Sequence, residues 1–333
     1  MSNTPPAKEP SQKKKSLLSS ALQIIVPLAL GVVILYFLYR DTDFAGMWHI
    51  IKNANWGVLT FSLIFGLSGN VIRGLRWELL INPLGYYPKR RNLIYAVLGN
   101  YAVNFAIPRA GEVWRCGVIA DKEKIPFTKL IGTLIIDRMF DTIMVASIIA
   151  VAFLCNVPLF LTKSSEFNLP PMLTSVWFYA GCVGIVVLVL IVMTIFKETS
   201  VIKKIRNFLT EMWNDMKKVW QMKQKKRFFI YTFSIWLSYF LYFYVTFFAF
   251  GFTQNLGLAA GLFVFAISSV SMAIPSNGGL GPWQAAVVFG LCAFFVDLPE
   301  AKAFATAVFA FQSIWVALCG LYGIIGLSLQ KKK

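Results

Sequence analysis

The sequence predicts an all-α polytopic membrane protein, built as an inverted repeat of span, span, re-entrant hairpin and span. That amounts to about six full spans plus two broken hairpins, or eight or so helices by hydropathy. Three observations carry the prediction. Several windows stay apolar for longer than the ~20 residues that cross a bilayer, in a chain of 333 residues that is 57% hydrophobic and 14% charged. A soluble domain carries roughly a quarter charged residues. Two apolar runs then break in the same way, NFAIPRAGEVWR from Asn104 to Arg115 and MAIPSNGGLGPWQ from Met272 to Gln284, each containing Ala-Ile-Pro. Finally, the basic residues fall mostly in alternate connecting segments, the pattern that fixes membrane orientation.

Residues 1–16 are polar, with Lys8, Lys13, Lys14 and Lys15, and read as a disordered cytoplasmic tail. The remainder, 17–330, reads as a single membrane domain with pseudo-repeat halves 17–156 and 175–329. Leu17 to Tyr39 is the first span; it has span length and no small-residue cleavage site, so no cleavable signal peptide is expected. Arg40 to Asn55 carries Trp48, Ile50 and Ile51 next to Trp56, the pattern of a short interfacial helix under an aromatic belt. Trp56 to Leu80 is the second span and contains Asn70, Arg73 and Arg76.

Asn92 to Ala120 is the first broken segment. Lys89, Arg90 and Arg91 precede it and Lys122, Lys124 and Lys129 follow, so both ends belong on the cytoplasmic side. Neither arm spans a bilayer alone, which predicts a re-entrant hairpin. Leu130 to Leu154 is the third span, Asn156 to Thr174 an outside loop and Ser175 to Phe196 the fourth span. Between Lys197 and Arg227, apolar residues recur at three- and four-residue steps with lysines opposite. This predicts a cytoplasmic amphipathic helix over 199–222, lying on the inner leaflet or packed on the bundle. Phe228 to Phe250 is the fifth span, Leu258 to Val296 a second broken segment entering from the outside, and Ala303 to Leu329 the last span.

This topology puts 25 of the 32 Lys and Arg residues on the cytoplasmic side and four outside, with Arg109, Arg115 and Arg138 embedded. Both termini are then cytoplasmic, and the chain is placed as a multi-pass protein of the cell (inner, cytoplasmic) membrane. The net charge of +17 is distributed as the positive-inside rule requires, which argues against a nucleic-acid partner. The five cysteines (Cys116, Cys155, Cys182, Cys292, Cys319) form no CxxC, so packing thiols are expected rather than a metal site or disulfides. The single histidine, His49, lies on the predicted outside. No P-loop, metal-ligand cluster or nucleophile–base pair is present, so no catalytic residue and no cofactor is expected. The sequence fixes no oligomeric state.

Charges at membrane depth are costly and usually functional. Arg109, Glu112 and Arg115 are spaced by three, so on a helix starting after Pro108 they share a face; Asp137 and Asp141, spaced by four, share another. These residues with Arg138 make either an ion-pair network that holds the hairpin, or a site where arginine and free backbone N–H groups receive an anion. Arg73 and Arg76 are either snorkelling anchors at the inner end of the second span or part of that site. Asn277, Gly278, Gly279 and Gly281 give the second break a tip whose backbone can approach a ligand closely, or simply a turn that lets two arms pack. The two breaks read as two halves of one site. The candidate substrate-binding set is Arg73, Arg76, Asn104, Arg109, Glu112, Arg115, Asp137, Arg138, Asp141, Asn277, Gly278, Gly279 and Gln284.

Taken together, RGLRW (Arg73 to Trp77), NFAIPRAGEVWR, IIDRMFD (Ile135 to Asp141) and IPSNGGLGPWQAA resemble the flippase-like membrane domain of the lysylphosphatidylglycerol synthase family. That domain also occurs in stand-alone UPF0104 proteins and in an archaeal dolichol-linked glycosylation family. The resemblance covers nearly the whole chain beyond the tail, and Pro-Arg-x-Gly-Glu followed by Pro-x-x-Gly-Gly-x-Gly is its most specific part. It implies a membrane domain that moves a lipid between leaflets, while a separate soluble domain makes aminoacyl-lipid. With Lys333 just after the last span, that soluble domain is expected to be absent. Asp137 stands where the family usually has glutamate, and Gln284 where an acid is common, which removes a protonatable group. The expected partners are membrane lipids of anionic character: a modified phospholipid or a polyprenyl-phosphate-type lipid. The alternative is an enzyme or scaffold in lysylphosphatidylglycerol synthesis or lipid-linked glycosyl transfer.

Overall fold

The computed structural model describes residues 17–162, 210, 217, 219–274 and 276–330. The tail 1–16, the loop expected beyond 162, the fourth span and most of the amphipathic segment 199–222 lie outside the described residues, as does Pro275. Among the described residues the protein is all-helical.

Helix α1 (Leu17–Tyr39) ends in a short turn, and the chain bends by 95° into α2 (Phe44–Lys52). The Asp43 carboxylate accepts from Ala45 N and starts α2, where the sequence predicts an interfacial helix. Asn55 does the same for α3 (Trp56–Ile81), accepting from Gly57 N and Val58 N. The first broken segment is α4 (Arg90–Ala106) and α5 (Ala110–Glu123). Glu123 Oε1 accepts from Lys89 N and Asn92 Nδ2, so the start of α4 and the end of α5 lie together and the pair is a closed hairpin.

Helix α6 (Phe127–Thr162) runs past the expected end of the third span. Asn156, expected to open a loop, is buried inside the helix instead. Its Nδ2 donates to Ala152 O at 2.7 Å and to Ala259 O at 3.0 Å, satisfying the amide without breaking the helix. After the undescribed stretch, Val219 packs on Leu79, Phe140 and Phe228, so the end of the predicted amphipathic segment docks on the bundle. Helix α7 (Lys225–Tyr244) continues into a 3₁₀ turn to Ala249. The second broken segment is α8 (Leu258–Ser271) and α9 (Pro282–Cys292), and α10 (Leu298–Ser328) closes the described chain.

Among the described residues four helices are long and apolar enough to cross a membrane: α3, α6, α7 and α10, with α1 and α2 a fifth if the bent pair is one span. Five of the six spans expected from hydropathy fall within the described residues, where four or five are found; the expected fourth lies outside them. Pairing is reciprocal between the halves. Helix α3 packs along α7, α4 along α10 and α8 along α6. Small residues allow these approaches: Gly66 and Gly69 of α3 face the Tyr242 and Tyr239 rings, and Gly320 and Gly323 of α10 face Ala102 and the Tyr95 carbonyl. Besides the cluster around Val219, one apolar core gathers Phe243, Phe247, Phe265 and Phe304, and another Trp77, Leu93, Val97, Cys116 and Leu130.

Candidate functional site

Both helix breaks follow from local chemistry. Pro108 has no N–H to donate and restricts the residue before it, so α4 stops and Ile107 is extended at φ −132°. Arg109 takes a left-handed conformation, φ 62° and ψ 1°. Asn104 Oδ1 accepts from Gly111 N at 2.8 Å and caps the start of α5. A Cβ at Gly111 would run into the Asn100 carbonyl, so glycine permits the two arms to close. In the second break Gly278, Gly279 and Gly281 all have positive φ. Gln284 Oε1 accepts from Gly281 N at 2.8 Å and organises the start of α9. Asn104 and Gln284 therefore have their side chains engaged in helix starts.

The two breaks meet. Arg109 Nη2 donates to Ala273 O at 2.6 Å, and Asn277 Nδ2 donates to Phe105 O at 3.2 Å. The Phe105 ring lies where a Cβ on Gly278 would be, so that glycine receives the opposite tip. Behind this junction is a cavity of about 270 Å³, lined by Tyr101, Asn104, Phe105, Gly278, Trp283, Phe309 and Gln312 among others.

Beside the cavity the embedded charges form one cluster. Arg73 and Arg76 come from α3, Glu112 and Arg115 from α5, and Asp137, Arg138 and Asp141 from α6. Asp137, fully buried, binds Arg76 at 2.6 Å, Arg115 at 3.0 Å and Arg138 at 3.1 Å. Asp141 binds Arg73 at 2.8 Å, Arg76 at 2.7 Å and Arg138 at 3.0 Å. Glu112 holds Arg138 at 3.0 Å. Among the described residues four guanidiniums thus face three carboxylates, an excess of one positive charge. Three aromatic faces support the cluster: the Trp77 ring lies 4.7 Å from the Arg115 guanidinium, the Tyr239 ring 5.5 Å from that of Arg73 and the Phe228 ring 5.8 Å from that of Arg76. Several donors find no acceptor, namely Arg76 Nε, Arg115 Nε and Nη1, and Arg138 Nε. Only Arg138 and Glu112, at 36% and 32% side-chain exposure, open the cluster outward.

Hydroxyls link cluster and cavity. Arg73 Nε donates to Tyr239 Oη at 3.2 Å, and Tyr239 donates to Asn70 Oδ1 at 2.9 Å. Tyr239 has then used its one proton, so Tyr101, whose oxygen is 3.0 Å away, is the donor to it. Tyr101 in turn lines the cavity.

The structure therefore brings seven of the sequence-predicted residues into the cluster and six to the meeting of the breaks. Three expectations change. Arg73 and Arg76 are buried in ion pairs and do not snorkel, because two carboxylates on α6 meet them one helical turn apart. Glu112 pairs with Arg138 on the next helix, not with its own neighbours Arg109 and Arg115. Arg109, positioned just before α5 begins, does not share the face of Glu112 and Arg115; it reaches the opposite break instead. Sequence reasoning missed Tyr101 and Tyr239, whose only signal is aromatic character in a chain that is 16% aromatic, and gave no role to Trp77 although it closes RGLRW. Among the described residues no group of His, Cys, Asp and Glu side chains is arranged to hold a metal ion.

A family model described as the lysylphosphatidylglycerol synthase TM region matches residues 24–320. Two curated proteins are similar over shorter stretches. A UPF0104 membrane protein of Methanocaldococcus jannaschii is 26% identical over 127 residues, 36% of this chain and 38% of that protein. The glycosyltransferase AglD of Haloferax volcanii is 24% identical over 129 residues, 38% of this chain and 21% of that protein. The chain thus spans well under half the length of either relative. No solved structure matches it.

Proposed function

Because the chain belongs to the family of the lysylphosphatidylglycerol synthase TM region, we propose that it is a flippase-like transporter that exchanges an anionic lipid between leaflets. The lipid is a phospholipid, modified or not, or a polyprenyl-phosphate-type carrier. The observation that carries this reading is the uneven charge of the cluster among the described residues: four arginines against three carboxylates, on two span-length helices and one hairpin arm, beside the meeting of two helix breaks. Bare positive charge at that depth is expensive, and a phosphate that neutralises it is correspondingly favoured.

Exchange begins at Arg138 and Glu112. Glu112 contacts one arginine and is a third exposed, so a phosphate displaces it from Arg138 without unpairing any fully buried group. Arg109 meets the same headgroup once the Arg109–Ala273 bond opens. The lipid tails stay in the bilayer throughout. The architecture that suits this action is the inverted repeat of span, span, re-entrant hairpin and span, with six spans and both termini on the cytoplasmic side. Discontinuous helices meeting near mid-membrane are where such repeats hold substrates. The reciprocal packing of α4 with α10 and α8 with α6 supports it.

The alternative is a membrane transferase or scaffold in lysylphosphatidylglycerol synthesis or lipid-linked glycosyl transfer, and the glycosyltransferase name of one relative favours it. Against a role as general base, Asp137 and Asp141 each face three arginines and Glu112 one. Purified protein in liposomes separates the readings. Transporter action moves a fluorescent anionic lipid across the bilayer chemically unchanged by mass spectrometry. A new lipid species with no movement above protein-free liposomes would establish the transferase instead.

A further inference from the structure

At the end of the bundle away from the arginine cluster, where α1 finishes and α10 begins, a lysine is buried without a counter-charge. Lys302, near the start of α10, is 7% exposed. Its Nζ donates to the Thr42 hydroxyl at 2.9 Å, and among the described residues it forms no ion pair. An ammonium has three donors, so two lack an acceptor among the described residues. Burying a cation against a single neutral oxygen is unfavourable. Of the neighbouring acids, Asp43 accepts from Ala45 N, Asp41 pairs with Arg40, and Asp297, at the cap of α10, makes no ion pair with the ammonium.

Two more hydroxyls adjoin the lysine. Tyr39 Oη lies 2.7 Å from Thr306 Oγ1, and Thr306 donates to Lys302 O at 2.8 Å. Tyr39 and Thr306 also form the polar end of a groove of about 410 Å³ between α1, α2, α9 and α10. The rest of its wall is Val32, Leu35, Tyr36, Phe44 and Met47, with Gln284 of α9, whose Oε1 is held by Gly281 N, as the one further polar residue. The 95° turn between α1 and α2 lays Phe44 and Met47 across it. Its volume is within the range of small-molecule sites, roughly 300–1,000 Å³.

We propose that this groove is a second lipid site, distinct from the arginine cluster, holding one acyl chain of an anionic phospholipid with its phosphate against Lys302. The apolar walls take the chain, and the unpaired ammonium with the Thr42 hydroxyl, whose own proton is free, takes the phosphate; Thr306 and Tyr39 spend their protons on Lys302 O and Thr306 Oγ1 and hold the lysine backbone at the groove's end. The site binds its lipid whether or not the protein translocates any, so it stands apart from the transport reading.

Protein in nanodiscs is irradiated with phosphatidylglycerol carrying a diazirine on one acyl chain, and adducts are mapped by mass spectrometry. They are expected on residues 32–36 and 44–47. Unlabelled phosphatidylglycerol competes and phosphatidylcholine does not. Lys302→Gln lowers the adduct yield roughly tenfold or more, the effect of losing one charge-assisted hydrogen bond, and Lys302→Arg keeps most of it. Leu35→Trp, which fills the groove and leaves the lysine, also removes the adducts; it decides the matter should Lys302→Gln fail to fold. Equal yield in Lys302→Gln and wild type, persistence in Leu35→Trp, or equal competition by phosphatidylcholine overturns the proposal. Displacement by inorganic phosphate at matched concentration overturns it too, because the site would then be for the free anion.

Discussion

Replacing Asp137 by asparagine tests whether the cluster is held by charge. Asp137 is fully buried and contacts three arginines, and Arg115 has it as its one carboxylate partner at 3.0 Å. The substitution keeps the shape and leaves four guanidiniums against two carboxylates. Breaking a buried pair costs on the order of 3–5 kcal/mol, so the thermal midpoint in detergent falls on the order of 10 °C. Arg115 is the residue most exposed to this loss, since its Nε and Nη1 already lack acceptors. Adding Arg115→Met removes the stranded cation and leaves a side chain able to pack on Trp77. The double variant is therefore more stable than Asp137→Asn alone by about 1–2 kcal/mol. Glu112→Gln serves as the control. Arg138 keeps Asp137 and Asp141, and Glu112 is a third exposed, so about 1 kcal/mol or less is lost. Midpoints of the wild type, Asp137→Asn, Arg115→Met, the double variant and Glu112→Gln are measured by fluorescence-detected size exclusion. Additive losses for Asp137 and Arg115, within about 0.5 kcal/mol, would refute the coupling, as would a Glu112→Gln loss equal to that of Asp137→Asn.

The other predictions concern the hairpins. Gly111→Ala forces a methyl into the Asn100 carbonyl and destabilises by about 1–3 kcal/mol, whereas Gly117→Ala, with nothing within 4 Å, is neutral or slightly stabilising; equal midpoints for the two would contradict the close approach of α4 and α5. Arg109→Gly suits the positive φ and is exposed, so the protein folds with a wild-type midpoint but loses preference for phosphatidylglycerol in native mass spectrometry; an unchanged preference removes Arg109 from the site. Single cysteines at Lys89 and Lys122 react with an impermeant maleimide from the same side of the membrane; opposite sides would make the α4–α5 hairpin a full span and end the inverted-repeat reading.

Much of the fold was legible because the bilayer enforces it. Apolar length marks spans, and proline with glycine marks the places where a helix cannot continue. Both broken segments are found as hairpins, and their tips touch through Arg109 and Asn277 as the shared Ala-Ile-Pro suggested. The partners inside the cluster were less legible. Spacing along one helix tells which residues share a face, but not which face of another helix they meet. Arg73 and Arg76 therefore read equally well as surface anchors until Asp137 and Asp141 are seen opposite them. Glu112 looked like a partner for Arg115, three residues on, yet the hairpin turns it toward Arg138. Lys302 gave no signal at all: in a sequence it is one lysine near a helix start, and only packing shows that it is buried.

The charge dependence of translocation by the arginine cluster tests the account most directly. Phosphatidylglycerol and phosphatidylcholine, each with the same tail-linked fluorophore, are followed in the same proteoliposomes by quenching from outside, with wild-type protein and with Arg138→Gln. The account predicts faster movement of phosphatidylglycerol in the wild type. Arg138→Gln should lose most of that advantage, as expected for one or two charge-assisted hydrogen bonds of about 1.5–3 kcal/mol each. Equal rates for the two lipids in the wild type, or an advantage untouched by Arg138→Gln, would contradict it.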